Sequence, residues 1–598
     1  MFEEGKTMRT YKVILVYLLV TVISSGCKKP EDHTPVDVPE NPKTPGYYNV
    51  AITTDKAVYD PGSEVIFTLD YSTLPSMARV RYKYLGVVLS DQVVASSVWK
   101  WKAPETDFRG YMVEVYTLEN NIETIYATIA VDVSSDWTRF PRYGFLTNYS
   151  QLSDEELNKV INNLNRHHIN GLQFYDWHNK HHMPLPVSGS VPASRWKDII
   201  NRDVYFNTVE GYITSAHNRN MKAMFYNLIY GAWKDAELDG VQKEWYVYND
   251  NTHTNRDFHS LPTPPFLSNI YLLDPSNVDW QQYLFNQDRI VYEHLNFDGF
   301  HMDQLGNRGY RYTYDGSFLN LSLTYQSFIE AEKADQPEKY SVMNAVNQYG
   351  QEGIAAAPTN FLYTEIWDPF DTYADLANII KQNNVLSNQL KNSVLAAYVN
   401  YQLADEKGYF NTASVLMTNA VIFAFGGAHL ELGEHMLAKE YFPNDNLAMK
   451  ADLQTALVSY YDFLVAYQNL LRDGGSFNTV ETKSLDHKMT LAAWPAAIGF
   501  VAIIGKQLEK KQVIHFINFT DASTDMWRDN EGIQVIPAMI KDAKVELTTT
   551  ETIKNIMVAS PDIIGGASRS IHFIQAENKI YFTLPELKYW SMVVMESE

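Results

Sequence analysis

A single cysteine among 598 residues excludes an intramolecular disulfide, so stability must come from packing. Basic residues are scarce: 49 Lys and Arg stand against 71 Asp and Glu, a formal net charge of −22. That balance repels nucleic acid and anionic lipid and leaves neutral or cationic partners. Long apolar runs are also missing, apart from "VILVYLLVTVI" at residues 13–23, which is too short for a comfortable membrane span. No internal repeat is present, and one Pro-rich stretch is the only low-complexity segment.

What is present starts with export. Lys6, Arg9 and Lys12 precede the apolar run, as in a signal peptide, and the run leads into "SSGCKK", which is similar to a bacterial lipobox. Cys27 is therefore the expected lipid attachment point of an exported, membrane-anchored bacterial lipoprotein, at the cell surface or on the periplasmic face. The other reading is a signal cleaved elsewhere that leaves a free thiol. Residues 28–46 carry Pro30, Pro35, Pro39, Pro42 and Pro45 among charges and read as an extended tether. Aromatics make up 13% of the chain, with 40 Tyr and 12 Trp, which suits surfaces that stack on sugar rings.

The rest divides by rhythm. Alternating segments such as "EVIFTLDY" and "ARVRYKYL", separated by turns like "DPGS", predict an immunoglobulin-like β-sandwich over residues 47–134. Over residues 135–486, eight short apolar runs alternate with helical stretches: "RYGFLTNY", "INGLQFYDW", "MKAMFYNLIY", "FDGFHMDQLG", "KYSVMNAV", "NFLYTEIW", "SVLAAYVN" and "TNAVIFAFGGAHLELG". Eight such runs predict a (β/α)8 barrel, with a doubly wound sheet as the alternative. Alternation returns over 487–598 and predicts a C-terminal antiparallel β-sandwich. The expected fold class is multidomain α/β, a central barrel flanked by two sandwiches.

The strand endings carry the chemistry. The fourth run ends in Asp303 and the sixth in Glu365, so two carboxylates can face one pocket at the C-terminal ends of the strands. Glycosidic cleavage needs such a pair, one ionised and one protonated. Tyr363 and Trp367 would desolvate Glu365 and raise its pKa, while His301 and Gln304 would keep Asp303 charged. Either acid alone would more simply cap a following helix.

The stretches "GLQFYDW", "GFHMDQLG", "LYTEIWD" and "GGAHLELGEHMLAKEYFPN" together resemble glycoside hydrolase family 66, the dextranases and cycloisomaltooligosaccharide glucanotransferases. The resemblance covers about Asp136 to Gly475. It implies retaining cleavage of α-1,6-glucan, with Asp303 at the nucleophile position and Glu365 at the acid/base, and dextran and isomaltooligosaccharides as partners. It also implies substrate contacts from Tyr175, Asp176, Trp177, Trp196, Tyr226, Asn227, Gln304, Asn344, Trp367, Asp368, Asp371, His429 and Glu431. Each of these has a plainer reading as a core or turn residue.

No cofactor and no metal is expected. The spacing of His429, Glu431, Glu434 and His435 fits no zinc pattern, His178, His181 and His182 read as a loop over the cleft, and "DNEG" lacks EF-hand spacing. Only "YQLADEKGYFNTA" separates the seventh and eighth strands, which leaves no room for the carbohydrate-binding module that cyclising relatives carry there. Hydrolysis of dextran by endo cleavage is thus the expected activity. The alternatives are transglycosylation to cyclic or longer isomaltooligosaccharides, a different α-glucan hydrolase, and a non-catalytic glycan-binding lipoprotein.

Overall fold

The structure is a computed structural model that describes residues 37–598 except 71–74, 76 and 496. The expected export signal, Cys27 and the first residues of the tether lie outside the described residues.

The N-terminal strands form two sheets, one of five strands and one of three. Alternation in "EVIFTL" turns Val65, Phe67 and Leu69 inward from the small sheet, where they meet Val80, Tyr82, Val113 and Ile129 of the large one. Burying each such side chain contributes roughly 1.5–3 kcal/mol.

Eight parallel strands follow: β1 (Tyr143–Leu146), β2 (Gly171–Phe174), β3 (Lys222–Leu228), β4 (Gly299–Asp303), β5 (Tyr340–Met343), β6 (Leu362–Glu365), β7 (Ser393–Ala396) and β8 (Ala428–His429). Both faces of these strands are buried, which is why their sequences lack the apolar–polar alternation of a sheet with one wet face, and the few polar residues in them, such as Gln173, Asn227 and His301, are buried too. Each strand is followed by a helix: α1 (Asp154–Arg166), α2 (Phe206–His217), α3 (Val278–His294), α4 (Tyr325–Asp335), α5 (Gln351–Ala356), α6 (Tyr373–Leu386), α7 (Thr412–Ala424) and α8 (Ala451–Ala466). Two starts are fixed by reciprocal capping, Ser153 with Glu156 at α1 and Thr372 with Asp375 at α6. The strands lie in a sheet of five, β5-β4-β3-β2-β1, and a sheet of three, β6-β7-β8. A parallel bridge pairs Asn344 after β5 with Tyr363 of β6, and the Phe145 N–H of β1 donates to the Leu432 carbonyl just past β8.

One element departs from expectation. "TNAVIFA" is the second half of α7, not strand, and the eighth strand is only Ala428–His429. All thirteen positions of α7 are buried, so it shows none of the one-sided period that marks a surface helix.

The C-terminal strands form sheets of seven and four around one core. They begin earlier than residue 487: Ser476–Asn478 pairs with Val501–Leu508, and Thr482–Ser484 with Ile540–Thr548. The segment expected to be a tether is docked from Val38 onward. Val38 is buried, the Thr583 hydroxyl donates to the Pro39 carbonyl, and Asn41 bonds both Thr583 and His572.

The N-terminal sheets are joined to the parallel strands by buried charge. Asp462 of α8 accepts from the Ala130 N–H, Arg166 and His168. Burial pushes its carboxyl up, but Arg166 and His168 outweigh that and hold it below the usual range.

Candidate active site

Asp303 is the last residue of β4 and Glu365 the last of β6, and Asn344, just past β5, stands between them. Its side-chain amide nitrogen donates to Asp303 Oδ1 at 2.8 Å and to Glu365 Oε2 at 3.1 Å. Two bonds from one nitrogen hold those oxygens no more than about 6 Å apart. The Asn344 side-chain oxygen accepts the Glu365 N–H at 3.2 Å, which fixes which end of the amide faces the acids.

Each acid then has its own tyrosine. Tyr226 on β3 donates to Asp303 Oδ2 at 2.8 Å, and Tyr398 beyond β7 donates to Glu365 Oε1 at 2.6 Å. Burial raises Asp303 above the ordinary carboxylate value, opposed by Tyr226, Asn344 and the Gln304 N–H. Glu365 is pushed up to about 7, by burial first and the Asp303 charge second, against the pull of Tyr398 and Asn344. Asp303 accepts three hydrogen bonds, from Tyr226, Asn344 and the Gln304 N–H, and Glu365 only two, from Tyr398 and Asn344, a difference that favours the charge on Asp303 and the proton on Glu365.

A sequence profile described as Glycosyl hydrolase family 66 matches residues 54–594. The chain belongs to that family. A cycloisomaltooligosaccharide glucanotransferase of Niallia circulans is 26% identical over 91% of this chain and 71% of its own length. A dextranase of Streptococcus salivarius is 24% identical over 82% of this chain and 68% of its own. Among solved structures, a Paenibacillus sp. cycloisomaltooligosaccharide glucanotransferase complexed with cycloisomaltoheptaose superimposes with a TM-score of 0.82 at 26% identity, covering 92% of this chain and all of that one.

Of the residues singled out from the sequence of this family member, Asn344 and Tyr226 touch the carboxylates directly. Tyr175 lies against Tyr226, with ring centroids 4.5 Å apart, and stacks on Phe442 at 4.0 Å. Asp176 follows it at a positive φ of 47°, its carboxyl pushed up to about 7 chiefly by burial and then by Asp198. Trp367, Asp368 and Asp371 line one cavity on the Glu365 side.

Others are not presented to the cleft. Trp177 is fully buried against Phe297 and Trp196, its indole N–H bonded to the Tyr226 carbonyl, and Trp196 donates in turn to the Trp177 carbonyl. Asn227 is adjacent to Tyr226 on a strand and so points the opposite way, to the His181 carbonyl. The Gln304 side chain is spent on the Asn344 carbonyl, the Gly306 N–H and the Tyr325 hydroxyl, and only its backbone serves Asp303. His429 faces Asn419 and the Ala397 carbonyl, and Glu431 accepts from Asn419 and Tyr461, a buried polar knot behind the strands. His301 does not reach Asp303: its ring meets Tyr143, and burial pushes its pKa down to about 3. Among the described residues, no group of His, Cys, Asp and Glu is arranged to hold a metal.

Sequence reasoning missed Tyr398 and the residues around Arg528. Tyr398 sits in the run "SVLAAYVN" and looks like core, which by exposure it is.

Proposed function

We propose that this chain is a retaining endo-dextranase that hydrolyses internal α-1,6-glucosidic linkages of dextran, on a closed (β/α)8 barrel built from β1 to β8. The observation that carries the reading is the Asn344 amide shared between Asp303 and Glu365. Two carboxylates bridged by one amide nitrogen, their facing oxygens at most about 6 Å apart, suit the close nucleophile and acid/base pair of a retaining enzyme better than the wider pair that an inverting enzyme opens for its water. Asp303 attacks the anomeric carbon while Glu365 gives its proton to the departing glucosidic oxygen; Glu365 then takes a proton from water, which releases Asp303. The test is proton NMR of the first products released from dextran by the chain from residue 28 onward. Early isomaltooligosaccharides with α reducing ends are expected, and β ends would overturn the assignment.

Hydrolysis is preferred to cyclisation because only residues 397–411 separate β7 from α7, and the seventh and eighth strands are otherwise joined by that helix alone. In line with that, the alignments with the two Niallia circulans glucanotransferases run over 708 and 716 residues, more than the 598 of this chain, so those relatives carry segments it lacks.

The pH profile follows from the acid's state. Cleavage requires protonated Glu365, so kcat/KM is expected to fall as pH rises through about 7. Tyr398→Phe removes a bond that favours the charged form, so that limb is expected to move to higher pH. A limb that stays in place or moves down would show that Tyr398 does not act on Glu365.

Export and lipid attachment at Cys27 belong to the same proposal and rest on the sequence signal alone. Radiolabelled palmitate should enter the expressed protein and be lost in Cys27→Ala.

A further inference from the structure

A cavity of about 520 Å³ opens beside Trp367, two residues past Glu365, and part of its wall comes from far along the chain. Residues 524–534, between strands of the C-terminal sheets, cross the ends of β6 and β7 as a strap. The Arg528 guanidinium donates to the Ile366 carbonyl at 2.8 Å and the Tyr398 carbonyl at 3.4 Å, the neighbours of the acid and of its tyrosine. The Trp527 N–H donates to the Asp371 carbonyl at 3.0 Å, and the Asn400 side chain to the Asp529 carbonyl at 2.8 Å. Within the acidic "DNEG", Asp529 is used up in this fastening: its carboxylate accepts from Ser414, Ile533 and Gln534.

The lining matches a neutral sugar. Trp367 and Tyr401 are 5.6 Å apart between ring centroids, and Arg528 stiffens both by lying over them at 5.3 and 5.5 Å. Met526 and Ile533 extend this apolar floor with exposed side chains. Asp368 and Glu531 stand at the rim as hydroxyl acceptors, while the Asn530 side-chain oxygen accepts the Gln402 N–H and ties the rim to the loop after β7. An apolar face bounded by carboxylates suits a pyranose and repels anions.

Position decides which sugar. The cavity is one ring from the acid, because Trp367 packs on Tyr398 at 5.3 Å and Tyr398 holds Glu365. Asp303 lies two strands away on β4. A proton donor stands by the leaving oxygen, so the neighbouring cavity receives the leaving half of the glucan.

The geometry points to the strap, with Trp367 and Tyr401, as the subsite for the leaving-group glucan and for an incoming sugar acceptor. This rests on the dextranase reading above. In transfer, the acceptor oxygen forms a bond to the anomeric carbon as the Asp303 ester bond breaks, and the acceptor's proton passes to Glu365. A glucan held on the strap therefore competes with water for the same intermediate.

Met526→Ala, Glu531→Ala and the double variant test this on dextran and on α-isomaltotriosyl fluoride, whose fluoride leaves without filling any leaving-side subsite. For the double variant, kcat/KM on dextran is expected to fall about tenfold more than on the fluoride, and the share of intermediate captured by added isomaltose to fall with it. Equal losses on both substrates, or an unchanged ratio, would overturn the assignment of the strap. A wild type that cleaves the fluoride but not dextran, or neither, would overturn the dextranase reading itself.

Discussion

Asp303→Asn is expected to lower dextran turnover by about four orders of magnitude or more, with the chain still folded and still binding glucan. The amide keeps the shape of the carboxylate and can still meet Asn344 and Tyr226, so little packing is lost. What disappears is the anion that forms the covalent bond, and neither Tyr226 nor Glu365 can replace it. The experiment is a time course of reducing ends beside a glucan-binding measurement. Near-normal turnover would remove Asp303 from the nucleophile role.

Glu365→Gln should cost about 10²–10⁴-fold on dextran, because the departing sugar oxygen needs a proton in the transition state. Three further signatures separate this from simple misfolding. The loss should be much smaller on α-isomaltotriosyl fluoride, whose leaving group needs little acid help. Azide should restore turnover and yield an α-glycosyl azide, as a small anion attacks the intermediate without a general base. The limb of the pH profile near 7 should vanish, since the group that titrates there is gone. A variant equally slow on both substrates and deaf to azide would take the acid/base role from Glu365.

The placement of both carboxylates was legible because an apolar run that stops at an acid puts that acid at the C-terminal end of a strand. The helix α7 was not legible as helix, because burial on every side erases the period that would reveal it. Trp177 and Trp196 read as sugar platforms by residue type, yet type does not tell which face of the backbone a ring occupies, and here both rings fill the core. Asn344 was found by its place on the fifth strand, but not its grip on both acids at once. That grip depends on β5 lying between β4 and β6, a matter of sheet order. Tyr398 hid among buried neighbours. Arg528 left no local signal at all, because its partners lie up to 162 residues earlier in the chain.

That separation bears on how the catalytic centre comes into being. During synthesis, both acids and both tyrosines leave the ribosome well before Arg528 and the strap, so the Glu365 side of the pocket stays unfinished until most of the C-terminal sheets exist. Contacts this distant in sequence close late and slowly. A truncation after α8 that looks like a clean catalytic fragment would therefore keep every reacting group and lose the clamp beneath Ile366 and Tyr398. In chimeras between family members, the C-terminal sheets would travel as part of the active site and bring their own acceptor preference with them.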